Sequence, residues 1–281
     1  NFDKNKTIYK AFDLAFDELI SKIIISTDKK KLKKIKSLEI QNLVDSFAIV
    51  DEKFVKNKYM AIFEVEFNKK RIVKLLEINN IFPSTPKNKD LFAMPILIKN
   101  NEFEPSLFGE NPFYLHWNEE NKKYFLIKYI LPNEDIEDIN LIKKNINDLE
   151  KYNFNEIIQK YNLSDFIITV FFQNDEKLNV LSKVNFGQNY KIINTKFVNF
   201  DINNLDSIKN VITELKIIYE NEWKKVNQIN SSINLSALLS LDNKDYHLVN
   251  KLEKKLTDLD IVDNYYIDRF TGERITIKVI Y

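Results

Sequence analysis

The chain has 281 residues, 44% of them hydrophobic and 13% aromatic, enough apolar material for one large domain or two modest ones, which excludes wholesale disorder. With no cysteine, 3 glycines and 2 histidines, it excludes disulfides, thiolate nucleophiles, cysteine-held metals and glycine-rich phosphate loops. Formal charge is +1, from 42 basic and 41 acidic residues, without the basic excess that a dedicated duplex-binding protein sets against phosphate.

Residues 6–25 predict a helix, because Ile8, Ala11, Phe12, Ala15, Leu19 and Ile23 recur at spacings of three and four. The basic run "DKKKLKKIK" (28–36) reads as a solvated loop. "SLEIQNLVDSF" starts a short helix, and 47–67 reads as a hairpin. There Tyr59, Ala61, Phe63, Val65 and Phe67 alternate with Met60, Ile62, Glu64 and Glu66. An amphipathic helix at 69–79 completes a compact α+β domain over 1–82. "FPSTPKNKD" (82–90) cannot continue either neighbour and marks the boundary, with 83–90 as linker.

Beyond the linker, 91–98 predicts a short buried strand, 110–117 ("ENPFYLHW") a loop, and 122–131 a strand stopped by Pro132. "PNEDIEDINLIKKNINDLEKY" is acidic at its start and basic later, as a helix dipole prefers. "NFNEIIQKYN" adds a further helical turn or two. Apolar residues on both faces make 164–173 a central strand. A hairpin follows around Gly187 and Gln188, then the longest helix, from about Asn204 to Asn230. Its stripe is Ile208, Val211, Ile212, Leu215, Ile218, Tyr219, Trp223 and Val226. Residues 231–281 spell βαββ, turning at Thr271 and Gly272. They form either a lobe of their own or the completion of the second domain's sheet. The fold class is therefore α+β: two small mixed α/β domains, 1–82 and 91–281, with largely antiparallel sheets. No apolar run approaches the ~20 residues of a membrane span. Asn1 is not an initiator methionine, so an N-terminal signal segment removed from the chain is allowed for.

Little in the chain carries chemistry. His247 sits early in a polar helix and reads as a surface or capping residue, and no histidine cluster or metal-binding spacing exists, so no metal, cofactor or catalytic residue is assigned. "NEDIEDIN" (133–140) gathers Glu134, Asp135, Glu137 and Asp138, which suit N-capping first and an acid pair or a ligand-holding group second. The window 110–117 holds Phe113, Tyr114, His116 and Trp117. It reads as a plug folded over a sheet edge or, alternatively, as a binding surface. The candidate binding residues are thus Phe113, Tyr114, His116, Trp117, Asp135 and Asp138.

The order of several stretches resembles the bacterial family called domain of unknown function 2066. They are the opening helix with "IQNLVDSFAIVDEKFVKNKYMAIFEVEFNKKRIVKLLEINNI", then "MPILI", "NPFYLHW", "LPNEDIEDINLI", and the helix end "YENEWKKV". The resemblance implies an exported or envelope-associated protein and transfers no activity, ligand or catalytic residue. Where the family has Gly- and Pro-rich linkers, this chain has Asn and Lys. The βαβ order of the second domain is also similar to the TolB N-terminal type, an analogy at fold level alone. The expectation is a periplasmic or envelope-associated, non-enzymatic interaction or assembly module. Its partner would be another envelope protein, with no nucleic acid and no transmembrane segment. The alternative is a small-molecule or glycan binder, or a carboxylate enzyme, using a cleft near 110–138.

Overall fold

A computed structural model describes residues 4–55, 58–99, 104–119, 121–229, 235–242, 246–259, 262 and 264–280. Among them the fold is α+β, with eight α-helices and ten strands in three largely antiparallel sheets. The chain divides into two compact units, neither a single run of sequence. One comprises Asn1–Phe16, Lys31–Pro83 and Ile229–Tyr281, the other Asp17–Lys30 and Ser84–Gln228. Helix α1 (Lys4–Ile23) therefore gives Lys4–Phe16 to one unit and Asp17–Ile23 to the other.

In the first unit Phe12 meets Phe47 edge-on at 5.1 Å and Phe16 lies 6.1 Å from Phe67. These contacts set α1 against the base of a long hairpin, β1 (Val44–Val55) with β2 (Lys58–Phe67), reached through the short α2 (Ser37–Gln41). A register shift between Ile49 and Asp51 adds one residue to β1 midway along the arm. Helix α3 (Lys69–Ile78) starts at Asn68, whose side chain accepts from the Arg71 amide, and buries Ile72 and Leu76.

The second unit is built on a five-stranded sheet. Its strands are β3 (Lys89–Lys99), β4 (Ile127–Ile130), β5 (Phe166–Asn174), β6 (Lys177–Phe186) and β7 (Asn189–Val198), in the order β4-β3-β5-β6-β7. β4, β3 and β5 run parallel, and β5, β6 and β7 form an antiparallel meander. Gly187, at φ +63°, makes the two-residue turn between β6 and β7 that a left-handed residue permits. Alternation along β3 splits the core. Leu91, Ala93 and Leu97 face α4 (Pro112–His116) and α7 (Leu205–Val226). Phe92, Met94 and Ile96 face α5 (Ile136–Lys144) and α6 (Asn155–Gln159). Helices thus cover both faces, as parallel strands require.

Residues 84–88, within the segment read as a linker, are pinned rather than free. The Ser84 amide and hydroxyl both donate to the Ile23 carbonyl, Thr85 N to Asn227 O, and Trp223 Nε1 to Lys87 O. Residues 231–234 lie outside the described residues. The terminal segment that follows has its own three-stranded sheet, β8 (Ser236–Asp242), β10 (Arg274–Ile280) and β9 (Asn264–Phe270). With α8 (Tyr246–Asp258) it encloses a core of Val249, Leu256, Ile275, Ile277 and Val279. Among the described residues it adds no strand to the five-stranded sheet.

Candidate functional site

The window 110–117 is a short helix rather than a loop. Asn111 makes it so: its Oδ1 accepts from the Phe113 amide at 2.9 Å, and Pro112 takes the first helical position, where a missing N–H costs nothing. The same Asn111 donates through Nδ2 to Pro95 O at 3.0 Å. Pro95 sits on the stretch of β3 beyond the last paired residue of β4, where an open edge would leave backbone groups without partners. Ser106 covers the next position, its amide and carbonyl bonding both backbone groups of Leu97. The segment 104–117 closes the edge that the four-residue β4 leaves open.

That placement decides where the aromatic side chains go. Phe113 is fully buried, stacked on Phe171 with ring centroids 3.8 Å apart and with Phe200 at 5.8 Å. Trp117 is also fully buried, edge-on to Tyr129 at 5.8 Å and near Tyr219 at 6.5 Å. Tyr114 is half-buried and donates to Pro132 O at 2.7 Å, tying α4 to the end of β4. His116, also half-buried, joins a polar cluster: its Nδ1 lies 2.8 Å from Glu119 Oε1, and Lys209 lies 3.2 Å from Glu119 Oε2. The hydrogen bonds from His116 and Lys209 hold the Glu119 carboxyl below its ordinary range.

Asp135 and Asp138 converge on a lysine. Asp135 Oδ1 accepts from the Glu137 amide at 2.8 Å, capping α5, while its Oδ2 takes Lys160 Nζ at 2.6 Å. The same ammonium donates to Asp138 Oδ1 at 2.7 Å, and Asp138 is fully buried. Hydrogen bonding to Lys160 and to the helix amide lowers the Asp135 pKa, and the two carboxylates raise that of Lys160. Both acids serve to join α5 to the end of α6. Trp117 belongs to the opposite face of the sheet, so the six predicted residues do not form one site. Among the described residues no group of three or more His, Asp or Glu is placed to hold a metal ion.

A groove of about 510 Å³ does open beside the predicted window, where the chain leaves the carboxyl ends of β3 and β4. Its walls are neighbours of the predicted residues: Glu104, Phe108, Glu110, Glu134, Ile139 and Lys143. Lys143 pairs with Glu104 at 2.7 Å, and Phe108 holds a left-handed backbone at φ +46°.

A buried polar cluster on α7 has no counterpart in the sequence reading. Lys216, Glu220 and Lys224, one turn apart, are at most 5% exposed. Glu220 Oε1 accepts from the Leu126 and Ile127 amides at 2.8 Å each and so fixes the start of β4. Lys224 donates to Ser21 O, and Lys216 lies 5.0 Å above the Tyr129 ring. Tyr219 Oη is bonded to Thr169 and Ser182, and burial pushes its pKa up to about 12. Desolvation raises the Glu220 carboxyl and lowers the Lys224 ammonium. Charges spaced four apart ordinarily signal a wet helix face with surface ion pairs, so their burial was hidden in the pattern.

Set against family models, curated proteins and solved structures, the chain matches none.

Proposed function

We propose that this protein is a non-enzymatic interaction or assembly module whose partner is another protein of the cell envelope. The observation that carries the reading is the β1–β2 arm. Beyond the contacts of Phe47 and Phe67 with α1, Phe54, Val55, Met60 and Ile62 are each more than half exposed. Among the described residues β1 and β2 pair only with each other. Apolar side chains on a strand pair with open outer edges suit docking by strand addition, where main-chain bonds supply affinity and side chains supply selectivity. The envelope as compartment is supported by the family resemblance alone. Among the described residues no helix is long and apolar enough to cross a membrane.

The test places a photo-crosslinking amino acid at Phe54 and, as control, at exposed Glu77 on α3, in the full chain in its native cells. A discrete adduct at position 54, absent at 77 and lost on adding Ile62→Lys, is the expected outcome. Identical crosslinking at the two positions would overturn the reading.

A second reading, a small-molecule or glycan binder, is favoured by the position of the groove. Ligands of α/β sheets lie outside the carboxyl ends of parallel strands, and here Glu110 and Glu134 flank that place. A glycan array is expected to show binding that disappears in Glu134→Ala; an array with nothing bound removes the reading.

A further inference from the structure

At the opposite end of β5 from that groove, a second cleft of about 440 Å³ lies between the 150–155 segment and the strands β5, β6 and β7. Lys183, on β6, projects into it. Its neighbours on the strand explain the oddity: Leu178, Val180, Val184 and Phe186 belong to the core under α7, and Lys183 faces the other side, opposite Ile168 on β5. There it is only 4% exposed. Its ammonium donates to Tyr152 O at 2.7 Å and lies 5.3 Å from the centre of the Phe154 ring. Among the described residues no carboxylate stands within ion-pair distance of it. A buried ammonium ordinarily has such a partner, because a carbonyl and a ring face return only part of its lost hydration. The cost registers as a lowered Lys183 pKa, caused first by burial and partly offset by the fields of Glu150 and Asp148.

The walls include the rings of Tyr152, Phe154, Phe166 and Tyr190, with Asn185 beside the lysine and the exposed Glu150 and Lys151 at the opening. Tyr190 is 54% exposed and forms the rim. A pocket with aromatic walls and one convergent cation is complementary to an acid group carried on a ring. Phosphate on a polymer is a poorer match, because Glu150 borders the opening and Lys151, the other lysine of the lining, is exposed and lies 3.6 Å from Asp148, so the two lysines do not make a track.

We propose that this cleft binds a small ring-bearing organic acid, with the acid group on Lys183 and the ring against Phe166 and Tyr190. The site is independent of the β1–β2 arm and of the groove at the carboxyl ends, so it stands or falls separately from both readings above.

The test is an NMR titration of the full chain with benzoate and, in parallel, with the uncharged analogue benzamide. Saturable shifts at Lys183 and Tyr190 are expected with benzoate, and binding at least about tenfold weaker with benzamide and in Lys183→Met. If Lys183→Met fails to fold, Tyr190→Ala serves instead, since its exposed side chain can be removed without opening the core; it too must weaken benzoate binding. Absence of saturable shifts at these two residues overturns the proposal. So does equal binding of the charged and uncharged probes, or benzoate affinity unchanged in a folded variant.

Discussion

Trp117 and Phe113 show how burial reassigns a residue. Their rarity, and their company of Pro, Gly and His, made them candidates for contact with a partner. The structure gives each of them no exposed surface, so neither can touch a partner unless α4 leaves the sheet. Truncation of a buried aromatic removes its transfer free energy and leaves a cavity, together about 3–5 kcal/mol. Trp117→Ala and Phe113→Ala are therefore expected to lower stability by that amount in urea unfolding. Leu115→Ala, one turn position away and 53% exposed, should change it by less than about 0.5 kcal/mol. If the buried pair proved as silent as Leu115, α4 would not be packed as described. The same lesson runs in reverse at Lys183, Lys216 and Glu220: a charged letter says nothing about depth. In each case neighbours set the depth, a strand face at Lys183 and a helix stripe one residue out of phase at Lys216 and Glu220.

Elements whose stability comes from periodicity were legible; those set by their surroundings were not. The α7 stripe from Ile208 to Trp223, the β6–β7 turn at Gly187 and the hairpin β9–β10 follow from spacing and turn chemistry; α7 ends at Val226, which is exposed, rather than near Asn230. In α1 the buried apolar residues are Phe12, Phe16, Ile20 and Ile23, with Ile24 just past its end; the predicted stripe shares Phe12 and Ile23, while its Ile8, Ala11, Ala15 and Leu19 are only partly buried. Alanine and leucine at those positions satisfy the same period, and only the packing partner selects the face. β4 is four residues rather than the ten of 122–131, because Glu220 seizes the Leu126 and Ile127 amides and defines where pairing begins. A glutamate 94 residues away in sequence leaves no local trace. At its other end β4 stops pairing at Ile130, shortly before Pro132, which leaves β3 open beyond Phe92; the capped helix of 110–117, with its aromatics turned inward, covers that edge.

For the whole molecule, the linear division at 82–91 placed a boundary where Pro83 and Ser84 do part company, yet the chain does not respect it elsewhere. Residues 17–30 belong with the five-stranded sheet for a reason visible in single bonds. Lys224, buried on α7, donates to Ser21 O; Ser26 and Asn221 bond each other; Ser84 is held by Ile23 O; and Ile20 and Ile24 are each 1% exposed. A fragment of residues 84–228 would keep every strand of the sheet and lose all of these partners. Lys224 would lose its charge-assisted bond to Ser21 O, worth about 1.5–3 kcal/mol before the apolar contacts are counted. The expectation is that 84–228 unfolds at lower urea than 17–228, and that a synthetic peptide of residues 17–30, added in excess, raises its midpoint in proportion to the logarithm of peptide concentration. The same peptide carrying Ile20→Asp and Ile24→Asp should have no effect. A fragment 84–228 with the midpoint of 17–228, indifferent to the peptide, would mean that the first helix contributes nothing to this sheet, and the two-unit division would have to be redrawn along the sequence after all.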